Sequence, residues 1–235
     1  MTMLILAAAV FLGIHFFISG TRLRDTLTGA IGEGPYLGLF SLTSLASLVW
    51  LAMSYNAAYA SAENSLVYDL GPGARHATIP IVALAFLLGM QGNFTKNPTR
   101  VRMGETAATA ATHGVVRITR HPFLWGVAIW SAFHLAANGD RASTIFFGTF
   151  FVLALFGTVS IDAKRKRKLG AGWDAFAAKT SNLPFAAIVS GRNRFDFGET
   201  FGWRFFAALA IFLTFLLAHA WLFSASPFPN GWVPF

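Results

Sequence analysis

The sequence predicts an all-α fold: a polytopic transmembrane helical bundle of about six spans with both termini outside. Three observations carry that expectation. Of the 235 residues, 55% are hydrophobic and 12% charged, with 25 Phe and 7 Trp; soluble domains carry about twice that charge fraction. The apolar residues gather into runs near the roughly 20 residues that cross about 30 Å of hydrocarbon. The basic residues fall almost entirely on one side of those runs.

The runs lie at about 2–20, 36–56, 78–94, 123–138, 142–161 and 203–224. The first has no basic residue before it and no small-residue cleavage site; Arg22 and Arg24 follow it. That polarity is wrong for a secretory signal peptide, so it reads as a retained span. The third and fourth runs are short, which fits tilted or partly screened helices. Asn138-Gly139-Asp140-Arg141 between the fourth and fifth is short enough to demand an antiparallel helical hairpin.

With six spans, the first, third and fifth loops hold 16 of the 18 basic residues, and only Arg75 and Arg141 fall opposite. The positive-inside rule then makes those loops cytoplasmic and favours an even number of spans. The Lys164–Lys168 basic run reads as an anchor on anionic lipid headgroups, not as a nucleic-acid site. No internal repeat or low-complexity linker divides residues 1–235, which points to a single integral membrane domain. The aromatic- and Pro-rich end, SPFPNGWVPF, suits the outer interface.

The absence of cysteine excludes disulfides, thiolate nucleophiles, iron–sulfur clusters and thioether-attached haem. Inside the runs the ionisable residues are nearly all histidines: His15, His134 and His219. Ionisable groups at membrane depth face a bundle interior, a partner or a cofactor. Two imidazoles from different helices suit the iron of a b-type haem, whereas a structural zinc site takes about four ligands. Each of the first two histidines follows an aromatic by one turn, Phe11 before His15 and Trp130 before His134. His15 lies about 10 Å along its helix from the cytoplasmic boundary and His134 about 21 Å. Their side chains lean toward each other, because each leans toward its own helix N-terminus. His219 matches His134 in depth more easily, so depth alone leaves the pairing open. His121 differs: Arg120-His121-Pro122 opens the fourth helix, with proline suited to the first turn. It is read either as a plain helix start or as a polar mouth for a haem propionate or another carboxylate.

HFFISGTRLRD at 15–25, GVVRITRHP at 114–122, WSAFH at 130–134 and TSNLPFAAIVSGR at 180–192 together resemble the NnrU family of bacterial membrane proteins. That family includes zeta-carotene isomerases of plants and cyanobacteria. The resemblance spans roughly residues 10–220 with order and spacing kept. It implies a multi-span protein of the bacterial inner membrane, associated by name with nitrite and nitric oxide respiration. For the isomerase branch it implies haem b, ligated at the positions of His15 and His134, and conversion of a 15-cis carotenoid. On the same likeness Arg24, Arg120 and His121 would meet propionates or headgroups. The isomerases carry a cysteine where this chain has Ser131, so ligand exchange through a thiolate is not available here.

A more distant likeness joins Arg120-His121-Pro122 and DAKRKRKLGAGWDAF to the isoprenylcysteine and phospholipid methyltransferases, which hold S-adenosylmethionine with a later pair of glutamates. Here Ile161 and Asp162 stand in their place, leaving one acid beside the retained Trp173 and Phe176. The expectation is therefore a haem b membrane protein acting on a lipophilic small molecule by redox or cis–trans isomerisation, among membrane lipids and without nucleic acid. A membrane methyltransferase and a non-enzymatic respiratory accessory subunit are the alternatives.

Overall fold

The computed structural model describes residues 1–99 and 112–228. Arg100 and Arg102, and most of the C-terminal SPFPNGWVPF segment, lie outside them. The chain is a helical membrane bundle. Helix α1 (Thr2–Gly13) continues as a π-helical turn, Ile14–Ser19. After it come α2 (Leu23–Ile31), α3 (Glu33–Tyr59), α4 (Gly71–Phe94), α5 (Val115–Ile118), α6 (Pro122–Ala137) and α7 (Arg141–Leu169). The remainder is α8 (Ala171–Lys179), α9 (Ala186–Val189), α10 (Phe197–Thr200), α11 (Trp203–Leu217) and α12 (His219–Phe223).

Four of these are long and apolar enough to cross a membrane: Thr2–Ser19, α3, α4 and α7; α6 and α11 are shorter apolar helices. All six expected runs are thus helical, with α3, α4 and α7 longer than their apolar cores. Helix α4 begins at Gly71 rather than near 78, because Asp69 Oδ1 accepts from Gly71 N (2.8 Å) and Pro72 suits the first turn. Pro80 inside it does not end the helix. Helix α7 runs eight residues past 161, since the basic run favours a helix C-terminus. At 29 residues it is about 43 Å long, more than the hydrocarbon thickness, so its last turns stand clear of the bilayer. Lipid-facing positions are apolar, as Leu42 (67% exposed), Met53 (66%) and Leu84 (66%) illustrate.

The helices pack as a row, α11 on α4, α4 on α6, α6 on α7, with α1 and α3 against the far face of α7. The α4–α6 contact is the tightest. A Cβ at Gly126 would stand 2.7 Å from Ala85 O and 2.9 Å from Gly89 Cα, so the glycines let the two backbones touch. Across the row, Leu4, Ala7, Ala8 and Phe11 of α1 bury against Leu51 and Ala58 of α3 and Ala142 of α7.

The α6–α7 hairpin is as tight as its sequence demands. Asp140 caps α7 by accepting from Ser143 N (2.9 Å), and Gly139 O accepts from Val67 N (2.7 Å). The Met1 amino group pairs with Glu63 (3.2 Å), so the N-terminus, the α3–α4 connection and this hairpin share one end of the bundle. The opposite end gathers the basic segments: Lys164 Nζ donates to Ser19 O (2.8 Å), and Arg204 Nε donates to Phe94 O (3.0 Å). This is the basic end of the bundle.

Candidate functional site

Two places in the bundle concentrate polar chemistry. The first is the histidine pair in the interior. His15 sits in the π-helical turn, a geometry that recurs at functional sites because it re-aims side chains from the regular helix. Its Nδ1 lies 2.7 Å from Phe11 O, an oxygen that can only accept, so Nδ1 carries the proton and Nε2 the lone pair. Nε2 in turn lies 3.3 Å from Ser44 Oγ on α3, which donates to it. His134 repeats the device: its Nδ1 donates to Trp130 O at 2.8 Å. Its Nε2 has no hydrogen-bond partner among the described residues. Both imidazoles are therefore set in the tautomer that offers Nε2 to a metal.

Aromatic side chains connect them. Phe150 of α7 lies 5.7 Å from Phe11 and 5.8 Å from Trp130, ring centre to ring centre. Phe11 and Trp130 are each one turn from their histidine, at 4.6 Å and 4.8 Å. Because α1 and α6 run in opposite directions, the two histidines step away from the level of Phe150 in opposite senses, about 6 Å each along the helix. Phe40 meets His15 edge-on at 5.4 Å, and Phe147 packs on His134 at 4.8 Å. His219 also lies within electrostatic range of His134, but it is on the exposed α12 and its Nδ1 donates to Ala225 O (2.7 Å). Ser131 is spent on its own helix, donating to Val127 O at 2.7 Å. Among the described residues, no three His, Asp or Glu side chains converge as a metal site would need.

The second place is the basic end. Asp162, read from sequence as a leftover acid just beyond an apolar run, is the centre of a compact ionic group. Arg120 Nε donates to both its oxygens at 3.0 and 2.9 Å, and Nη2 adds a third bond. The neighbouring His121 Nε2–H donates to Oδ1 at 2.6 Å. Arg120 lies over the Trp173 ring, 5.7 Å from its centre. Burial pushes the His121 imidazole below its ordinary value and Asp162 only partly offsets this, which favours the uncharged ring. Arg24 stands elsewhere at this end, paired with Glu33 (3.3 Å) and set over Tyr36 at 5.6 Å.

The segments around Arg120 are joined by hydrogen bonds. Arg120 N donates to Ser181 O (2.9 Å), Thr119 Oγ1 to Asn182 O (2.5 Å), Trp125 Nε1 to Asn182 Oδ1 (3.2 Å) and Phe185 N to Ile118 O (2.8 Å). Glu199 closes the group by accepting from Arg117 Nε and Gly114 N, both at 2.7 Å. Arg117 and Gly114 N together hold the Glu199 carboxyl down at about 2.

The sequence profile of the family described as NnrU protein matches residues 3–227. The chain belongs to the NnrU family. Two curated relatives are similar to this NnrU protein, both called 15-cis-zeta-carotene isomerase, chloroplastic. The Zea mays protein is 28% identical over 123 residues, 51% of this chain and 33% of its own. The Arabidopsis thaliana protein is 29% identical over 206 residues, 82% of this chain and 51% of its own. The NnrU chain thus matches about a third and about half of these relatives' lengths. No solved structure matches it.

Of the residues singled out in the sequence, the fold associates His15 and His134 through one aromatic ridge, and Arg120 and His121 through Asp162. It leaves Arg24 apart from Arg120. Sequence reading missed Asp162 as the shared partner, along with Ser44, Ser181, Asn182 and Glu199. The one available signal was that GVVRITRHP and TSNLPFAAIVSGR both carry the family resemblance; hydrogen bonds join the two stretches.

Proposed function

We propose that this NnrU protein holds haem b between His15 and His134 and catalyses cis–trans isomerisation of a lipophilic polyene, in the manner the names of its curated relatives suggest. The observation that carries the reading is the matched tautomer pair. Two imidazoles at membrane depth spend Nδ1 on the carbonyl four residues earlier and keep Nε2 available. Each imidazole so set would hold iron through Nε2, its second ring nitrogen fixing orientation and raising ligand basicity. The Ser44 hydroxyl is a rotor and can turn from Nε2 when that nitrogen is needed elsewhere.

Bound haem would supply a reduced iron centre able to lower the order of a polyene double bond so that it rotates. The chain's own contribution is positioning. Phe11, Phe40, Phe147, Phe150 and Trp130 line the approach to both imidazoles with flat apolar surfaces and exclude water. No proton need move, since isomerisation conserves atoms and electrons. Arg24, with its neighbours Lys164 and Arg165, offers positive charge at the basic end for propionates. Arg120 and His121 are committed to Asp162 and contribute to that end's architecture. The positive-inside rule supports a bacterial cytoplasmic membrane with the basic end toward the cytoplasm.

The test is conversion of a 15-cis polyene in liposomes containing the purified protein under reducing conditions, read by chromatography of the isomers. Turnover that His15→Ala and His134→Ala each reduce by two orders of magnitude or more (roughly the cost of losing a group the reaction depends on) supports the proposal. Haem-loaded protein that leaves the isomer ratio unchanged contradicts it.

A further inference from the structure

A cavity of about 350 Å³ opens at the basic end, apart from the histidine pair. Among its walls are Asn93 of α4, Asn97 beyond it, His121 and Phe123–Leu124 at the start of α6, and Ile161 of α7. The volume falls within the usual range for small-molecule sites. Phe123, Leu124 and Ile161 make an apolar side suited to a hydrocarbon chain.

The polar side is more selective. Among the described residues, the Arg120 charge is countered by the Asp162 carboxylate next to it and burial disfavours a charged His121, so this part of the wall does not draw an ionic head. Asn97 is already spent: its Nδ2 donates to Arg120 O (2.8 Å) and its Oδ1 accepts from Thr99 N (3.0 Å). His121 gives its Nε2–H to Asp162, which leaves Nδ1 with its lone pair and, among the described residues, no partner. A ring acceptor left without a partner on a residue that lines a cavity is available to a donor.

We infer that this cavity is a binding site for an uncharged amphiphile, an apolar chain ending in a hydroxyl, with His121 Nδ1 accepting a hydrogen bond from the hydroxyl and Asp162 fixing the ring. Asp162 acts as a positioning residue for that contact. The site uses neither His15 nor His134, so it stands or falls independently of the haem proposal.

The test is photolabelling of the full chain in detergent with dodecanol carrying a chain diazirine, against the same probe capped as its methyl ether. Adducts are located by peptide mass spectrometry. The alcohol is expected to label the 92–99 and 121–124 peptides at least about fivefold more than the ether, the ratio that one neutral hydrogen bond supports. Leu124→Trp, which fills the apolar side, is expected to remove that labelling, and His15→Ala and His134→Ala to leave it. In histidine ¹⁵N spectra the His121 Nδ1 resonance is expected to move on addition of dodecanol. Equal labelling by the two probes, or a stationary Nδ1 resonance, overturns the assignment even if the tryptophan variant fails to fold.

Discussion

Asp162 draws together the side chains that open α6 at the basic end of this protein. Its carboxylate holds Arg120 and His121, which lie 42 and 41 residues before it in the chain. Both ionic partners are largely buried, with side-chain exposures of 15% and 19%. Asp162→Asn leaves the guanidinium without a counter-charge. Thermal unfolding in detergent is expected to show a loss of about 3 kcal/mol, the usual cost of breaking a buried pair on one side. Asp162→Glu is expected to retain part of that stability. Glu199 gives a pH-dependent counterpart. Its folded value, about 2, lies below the ordinary 4.5, so its contribution is complete above pH 4.5 and lost as pH falls to about 2. Acid titration of stability is expected to flatten over that window in Glu199→Gln. The methyltransferase likeness set Asp162 in one site with Arg120 and His121 but not as their hydrogen-bond partner, and Glu199 read as an ordinary loop residue. Contacts between segments 40 to 85 residues apart leave no local pattern. His15 and His134 were legible, because an imidazole in an apolar run conflicts with its surroundings wherever the helix packs.

The helices themselves were largely readable. Length and apolarity located all six runs, because a span must satisfy its backbone internally and bury its flanks in lipid. Their ends were less readable: α4 and α7 continue through polar residues that are good helix caps or good helix formers, and hydropathy does not register either. The tight α4–α6 crossing depends on Gly89 and Gly126, which hydropathy treats as neutral. Gly126→Leu is expected to wedge these helices apart and to shift the protein from a monodisperse peak to aggregate in size-exclusion chromatography. At Gly148, where an added Cβ meets nothing within 4 Å, substitution by alanine is expected to leave the profile unchanged. A normal profile for Gly126→Leu would show that the crossing is not as close as described.

For the whole molecule, charge asymmetry and connectivity agree. The described basic residues collect at one end, with Arg75 and Arg141 at the other. The chain contains no cysteine, so single introduced thiols report sidedness without background. Ala62→Cys is expected to react with an impermeant maleimide from outside intact cells, and Lys166→Cys only after permeabilisation. The reverse pattern would invert the proposed orientation. The same bundle places a π-helical histidine and a second histidine around one aromatic ridge, and a separate cavity at the basic end.

Whether His15 and His134 hold haem is decided by the visible absorption spectrum of the purified protein from haem-replete cells. A Soret band is expected that shifts on reduction and that His15→Ala and His134→Ala each displace or abolish. A colourless wild-type preparation, or a Soret band left unchanged by both substitutions, would contradict that ligation.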